Sequence, residues 1–300
     1  MPGGTELRIK VSAAWSIAFA CSVASLFSPS AFALDTQKLT LAVQAEEGGL
    51  QARIGMAVFD MNTGKTWHYR GEERFPLNST HKTFACAALL AKVDGNALSL
   101  DQPVSISKEM LVTYSPVTEK YLSPRTMTLG EVCRAAVSLS DNTAGNVAVN
   151  AIGGTSGFNA YMRSIGDEQT RLDRKEPELN EATPGDVRDT TTPNAIVSSL
   201  KKILLGEVLS VSSRAELTQW MLDDQVAETL LRAALPTDWK IADKTGAGGY
   251  GSRSIVAVIW PPSKKPLVVG IYVTQTKASI QDSNRAIARI GRMLADSLDP

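Results

Sequence analysis

Only two histidines, His68 and His81, and three cysteines occur in the 300 residues of this chain. Neither histidine stands in an H-x-x-H or H-x-E setting, and with so few thiols this argues against a catalytic zinc site. Excess charge is missing as well. The 31 basic residues balance the 31 acidic ones and no basic tract occurs, so nucleic acid is not an expected partner. Internal repeats and low-complexity segments are absent, which removes solenoid and linker architectures. What remains is 43% hydrophobic and 21% charged, an ordinary globular composition with room for one large domain or two intimate ones.

Residues 1–33 read as a secretory signal. Arg8 and Lys10 form the charged start, Val11 to Phe27 is mostly apolar and uncharged, and Ala31-Phe32-Ala33 fits the small-x-small cleavage rule. A membrane anchor is the rival, because the apolar stretch approaches the short end of a spanning helix. Pro29 and the cleavage pattern favour removal after Ala33. Lipid attachment at Cys21 is disfavoured, since Ala18 stands where a leucine is expected. Export leaves Cys86 and Cys133 in an oxidising compartment, where they either pair or stay as two buried free thiols.

Apolar spacing and turn residues outline the elements. Asp35 caps a helix reaching Gly48, with Leu39, Leu41 and Val43 as its apolar positions. Arg53–Asp60 and Lys65–Arg70 form a hairpin around Asn62-Thr63-Gly64. From Phe75 to Val226 the pattern is mostly helical. A capping box, Thr128-Leu129-Gly130-Glu131, opens a helix through Leu139. Asn142–Ile152 and Thr155–Ile165 follow, each stopped by glycine. Thr192-Pro193 opens a helix ending near Gly206, and Ser212 or Ser213 caps another through Met221. Strands return at Trp239–Thr245, Ser254–Trp260 and Pro266–Thr274, before an amphipathic helix over Ile280–Leu298. The charged stretch Arg171–Asp189 has two prolines and little periodicity, with Arg174 and Asp189 able to pair across its base. A loop of that length within a domain is usually functional. Strands at both ends with helices between imply an α/β fold. Residues 34–72 and 222–300 would build a sheet domain of antiparallel strands flanked by N- and C-terminal helices. Residues 73–221 would form an inserted all-α domain, with a cleft between the two.

Chemistry concentrates in RFPLNSTHKTFACAALLAKV, residues 74–93. Ser79 and Lys82 stand three apart, a separation that shares one helix face. Asn78 or Ser79 as N-cap would put the hydroxyl at the positive end of the helix dipole. A hydroxyl beside an amine is a nucleophile with a candidate base, although a lone Ser-x-x-Lys usually carries a solvated lysine. Two further motifs follow in order: Ser140-Asp141-Asn142 and Lys244-Thr245-Gly246. This trio is the signature of class A β-lactamases and penicillin-binding proteins. With YSPV at 114–117, GEVC at 130–133, RLDRKEPELNEATPGDVRDTTTP at 171–193 and KTGAGGYGSR at 244–253, the chain resembles the class A serine β-lactamases from Asp35 to Leu298.

The resemblance implies the serine β-lactamase/DD-peptidase fold and hydrolysis of β-lactam antibiotics, hence resistance, by a periplasmic monomer without cofactor or metal. It implies Ser79 as nucleophile. Lys82 would accept its proton if Lys244 and Arg253 lower the ammonium pKa. Ser140 would relay a proton to the leaving ring nitrogen. The backbone amides of Ser79 and Ala247 would bind the oxyanion. Lys244, Thr245 and Arg253, with Gly246 between them on the strand, would meet the substrate carboxylate. Asn142 would hold the side-chain amide and Tyr114 would line the entrance. Glu176 and Asn180 would hold the water that frees the acyl-enzyme. The acylation base is either Lys82 or Glu176 acting through water. The family also implies a cis Glu176–Pro177 bond and a stabilising Cys86–Cys133 bridge.

Departures refine the expectation. His81 stands where an apolar residue is usual, and its spacing suggests a packed neutral imidazole pointing away from the nucleophile. Asn78 and Gly248 replace the cysteines of carbapenem-hydrolysing relatives. AGGYGSRSI and RDTTTP look closest to the carbenicillin-hydrolysing branch, which often has arginine in place of Lys244. Gly248 and Gly249 lack the serine and lysine that accompany activity on oxyimino cephalosporins. A preference for penicillins and carboxypenicillins is therefore expected. Two other readings share the trio: a DD-peptidase, and a penicillin sensor that acylates once. The first lacks a Glu-Pro-Glu-Leu-Asn water site, and the second needs an anchor and a partner domain.

Overall fold

The computed structural model describes residues 34–298, together with residues 1 and 3–5. The expected leader and its cleavage after Ala33 lie outside the described residues. Helix α1 (Thr36–Leu50) starts where the Asp35 carboxylate accepts from the Lys38 N–H at 3.1 Å. Leu39 and Val43 point inward, whereas Leu41 is 59% exposed, because a residue two positions from Leu39 falls on the far side of the helix. Strands β1 (Arg53–Asp60) and β2 (Lys65–Tyr69) form the expected hairpin. Short β3 (Phe75–Pro76) leads into α2 (His81–Asp94). A two-stranded ribbon, β4 (Pro103–Ser105) with β5 (Thr126–Thr128), precedes α3 (Leu129–Ser138), which carries the predicted capping box. Helices α4 (Asn142–Ala151) and α5 (Gly154–Ser164) follow.

Strand β6 (Thr190–Thr191) pairs with β3 and so fastens the end of the charged loop to the segment before Ser79. Helix α6 (Pro193–Leu205) has the expected Thr192 cap. Helix α7 (Val211–Leu222) is capped by Ser210, not by Ser212 or Ser213. The Ser210 hydroxyl accepts from the Ser213 N–H and is itself held by Asp94. The remaining elements are β7 (Lys240–Ala247), β8 (Arg253–Trp260), β9 (Leu267–Thr274) and α8 (Ile280–Asp296).

The five long strands form one antiparallel sheet in the order β2-β1-β9-β8-β7. Pairing from Arg53↔Thr274 to Asp60↔Leu267 welds the two ends of the chain together. Side chains alternate across this sheet, as a two-residue period requires. Ile255, Ala257 and Ile259 join the core beneath α1 and α8, while Val256 and Val258 join the core shared with α2 and α6. Strands β8 and β9 are buried on both faces, which explains their continuous apolar sequence.

Helix α2 is buried from His81 through Leu90. A helix hidden on every side belongs at the centre of its core, and Ala85, Ala87 and Ala88 let neighbouring helices approach closely. Cys86 on α2 is bonded to Cys133 on α3, with Cα atoms 5.6 Å apart, so the two thiols are paired. No helix among the described residues is long and apolar enough to cross a membrane. Replacing both Cys86 and Cys133 with alanine is expected to lower stability by about 2–4 kcal/mol, the range for closing a loop of this order. Urea unfolding, read as a lower midpoint, checks it.

Candidate active site

Ser79 does not begin an α-helix. Asn78–Thr80 is a 3-10 turn, α2 starts at His81, and neither Asn78 nor Ser79 serves as the expected N-cap. The Thr80 hydroxyl donates back to the Leu77 carbonyl at 2.6 Å and tightens this entry. The three-residue spacing still brings Lys82 to Ser79. Its Nζ donates to Ser79 Oγ at 2.9 Å, to the Ser140 carbonyl at 2.9 Å and to Asn142 Oδ1 at 2.6 Å. It also lies 3.0 Å from Glu176 Oε1, both side chains being fully buried. The Ser79 hydroxyl donates to the same Glu176 oxygen at 3.3 Å.

These contacts set the protonation states. Burial lowers the Lys82 pKa, opposed by the charges of Glu176 and Asp141. Lost hydration is thus the leading cause, and the repulsion between Lys82 and Lys244 expected from sequence acts on Lys244. Burial alone would raise Glu176. The charge of Lys82, with hydrogen bonds from Lys82 and Asn180, outweighs it and holds the carboxyl below its ordinary range.

The charged loop carries Glu176 to this position. Arg174 Nε meets Asp189 Oδ2 at 2.6 Å, and Asp189 Oδ1 accepts from the N–H groups of Asp173 and Arg174, so the predicted pair does close the loop base. The Glu176–Pro177 bond is cis. Asn146 on α4 grips the Glu176 backbone twice, donating to its carbonyl and accepting from its N–H, each at 2.9 Å. This residue escaped the sequence reading, although it stands one turn after Asn142 on the same helix face. Asn180 donates to Glu176 Oε2, and its own Oδ1 is buried without a partner.

Strand β7 forms the opposite wall. It runs two residues beyond the expected end at Thr245, which brings Ala247 onto the strand opposite Arg253. Gly246 passes so close that an added Cβ would lie 2.8 Å from Asn78 Cβ and 2.9 Å from Ser79 N. Arg253 donates to the Gly246 carbonyl at 3.0 Å and to Asn284 Oδ1 at 2.7 Å. Burial brings its pKa down to about 10, against Asp224. Between these walls lies a cleft of about 330 Å³ lined by Ser79, Tyr114, Ser140, Asn142, Thr245 and Arg253, among others. Asn180, Gly246 and Ala247 complete the set of sequence-predicted residues on its surface. Val226 and Ile280 add an apolar edge that no motif announced.

Three predicted residues sit beneath this lining. Lys82, Glu176 and Lys244 are 0%, 2% and 0% exposed. Lys244 therefore does not reach the cleft surface as expected. Its Nζ donates to the Thr245 carbonyl at 3.0 Å, and burial brings its pKa down to about 8, against Asp224. Asn142 faces the cleft, but its amide is already engaged by Lys82 and by the Thr113 carbonyl. No acidic, histidine or cysteine cluster suited to a metal is found among the described residues.

His81 is buried, with Nδ1 2.8 Å from the Asn78 carbonyl oxygen. Burial pushes its pKa down to about 4, against Glu176, so the ring is neutral near pH 7. The unfolded chain binds a proton at this residue near pH 6.5 and the folded chain only near pH 4, so stability is lost as pH falls through that window. His81→Phe is expected to keep a near-normal pH–rate profile and to lose less stability between pH 6.5 and 4, measured by urea midpoints.

Comparison with known proteins matches this geometry to a family. The model described as "Beta-lactamase enzyme family" matches residues 37–298. "Beta-lactamase AER-1" of Aeromonas hydrophila is 74% identical over 98% of this chain and 97% of that protein. "Beta-lactamase PSE-4" of Pseudomonas aeruginosa is 48% identical over 87% of this chain and 90% of that protein. Among solved structures, "Ancestral (GNCA) Beta-lactamase class A" has a TM-score of 0.85 at 47% identity, covering 86% of this chain and 99% of that one.

Proposed function

The chain belongs to the β-lactamase enzyme family, in its serine-dependent class A, and we propose that it hydrolyses penicillins and carboxypenicillins through an acyl-enzyme on Ser79. The observation that carries this reading is the meeting of Ser79 Oγ, Lys82 Nζ and Glu176 Oε1 within 3.3 Å of one another. Two groups are placed to take the Ser79 proton in acylation, Glu176 and Lys82 once it has lost its own proton, as burial favours, so acylation survives the loss of Glu176. A protonated Lys82 can only donate to Ser79 Oγ, while the Glu176 carboxylate accepts from the hydroxyl. As the hydroxyl proton leaves, Ser79 Oγ attacks the lactam carbonyl, and the N–H groups of Ser79 and Ala247 receive the oxyanion. Ser140 gives its hydroxyl proton to the ring nitrogen as the amide bond breaks and is refilled through Lys82, 3.0 Å from Glu176, with the proton taken from Ser79, so that Glu176 is again a carboxylate. Thr245 and Arg253 meet the substrate carboxylate, and Lys244 supports them from below by its field. Asn142 and Tyr114 face the acyl side chain.

Glu176 then deprotonates the water that attacks the ester. The unpartnered Asn180 Oδ1 supports this step, because a water held there gains an acceptor beside the carboxylate. A DD-peptidase or a one-turnover sensor has no use for such a pair. One core cluster draws only on residues 34–72 and 222–300, which supports reading those segments as the sheet part of the body with 73–221 inserted. Export to the periplasm through a leader ending at Ala33, followed by life as a monomer, completes the proposal.

Intact mass measures the mechanism. Glu176→Ala incubated with benzylpenicillin should accumulate a one-to-one acyl-enzyme. Free enzyme with undiminished turnover would remove Glu176 from the reaction. Substrate range is a separate test. The kcat/KM for benzylpenicillin and carbenicillin should exceed that for an oxyimino cephalosporin, since Gly248 and Gly249 are packed against the loop at Asn180 and Glu181. The reverse order would refute the preference.

A further inference from the structure

Asn78 precedes the nucleophile, yet none of the steps above uses it. It is fully buried and holds a left-handed backbone at φ 46°, a conformation asparagine tolerates better than most residues. The His81 ring is bonded to its carbonyl at 2.8 Å. Its side chain leaves the nucleophile segment altogether and donates through Nδ2 to Ser252 Oγ at 3.1 Å. Ser252 closes the turn between β7 and β8. Its carbonyl accepts from the Gly248 N–H at 3.1 Å, and its N–H donates to the Gly249 carbonyl at 3.0 Å. That turn begins immediately after Ala247.

Gly248 is where the pieces touch. A Cβ there would lie 2.6 Å from Asn78 Oδ1 and 2.6 Å from the Asn180 carbonyl. The neighbouring Gly249 N–H donates to that same Asn180 carbonyl at 2.8 Å. The missing side chain thus leaves room for the Asn78 amide to span the gap between the nucleophile turn and the β7–β8 turn. The two proposed oxyanion donors stand one residue after Asn78 and one residue before Gly248.

Resting on the Ser79 acyl-enzyme reading above, we infer that Asn78 is a positioning residue for the oxyanion hole: its amide, tied to Ser252, fixes the separation of the Ser79 and Ala247 N–H groups. An oxyanion hole works only if its donors are aimed before charge develops. A polar tie between two buried turns fixes that aim and reports on the transition state more than on substrate binding.

The test uses Asn78→Ala, Ser252→Ala, the double variant and Ser252→Thr, which keeps the hydroxyl. Each alanine variant is expected to lower kcat for benzylpenicillin about tenfold, with KM changed by less than about twofold. The double variant should be no worse than either single one, as for two ends of one bond. Ser252→Thr should restore kcat. If Asn78→Ala, whose alanine must take a left-handed backbone, fails to fold, Ser252→Ala carries the same test. The second readout is the infrared carbonyl band of the acyl-enzyme trapped with Glu176→Ala. Adding Ser252→Ala should move that band to higher frequency, because a loosened hole polarises the carbonyl less. An unmoved band, or losses that simply multiply in the double variant, overturns this inference alone. Absence of any acyl-enzyme in Glu176→Ala overturns the Ser79 reading and this inference with it.

Discussion

A lysine ammonium with no exposure to water is the constraint around which this molecule is arranged. Taking such a group out of solvent is costly unless a carboxylate and well-aimed dipoles replace its hydration. Lys82 finds these in Glu176, Ser79 Oγ, the Ser140 carbonyl and Asn142 Oδ1. Those partners come from the nucleophile turn, the residues opening α4 and the charged loop. Satisfying one cation therefore requires distant parts of the chain to converge. The same convergence surrounds the proposed nucleophile with a donor and an acceptor.

Convergence at these distances needs backbones that can touch. An added Cβ at Gly145 on α4 would lie 2.8 Å from Lys82 Cε, so the helix carrying Asn142 and Asn146 presses directly on the lysine. Gly246 does the same for β7 against Ser79. The pairing of β1 with β9 holds the frame in which this close approach is possible, because it joins a strand from the start of the chain to one from its end. The Cys86–Cys133 bridge and the Arg174–Asp189 pair fasten the helices below the cleft and the loop beside it.

Electrostatics under β7 follow the same logic. Lys244 and Arg253 are buried next to Asp224 and Asp243, and Arg232 pairs with Asp243 at 2.5 Å. Burial pushes Asp243 up to about 7 despite Arg232, and Asp224 is also raised. Two acids whose charged forms burial disfavours thus lie near the two buried cations of this wall. Lys244 lies beneath the cleft surface, a placement that its position in a three-residue motif does not reveal.

Much of this was legible in the residues. Periodicity, the Thr128 capping box and the Thr192-Pro193 start located the helices, since caps and apolar spacing are local chemistry. Three ordered motifs named Ser79, Lys82, Ser140, Asn142 and Lys244 as a set, and the acidic loop motif named Glu176 and Asn180. Local reasoning failed where the deciding contact is distant. Asp94, more than a hundred residues away, holds the Ser210 cap of α7. The 3-10 entry to Ser79 is the exception, since the Thr80 hydroxyl that tightens it bonds the local Leu77 carbonyl. Asn146 and Asn284, the two amides that grip Glu176 and Arg253, carry no motif at all. By itself the sequence determined which groups the chemistry requires, because a hydroxyl, an amine and a carboxylate are identities. Only the tertiary structure decided which of them face the cleft and which act from beneath it, because burial and field depend on every neighbour at once.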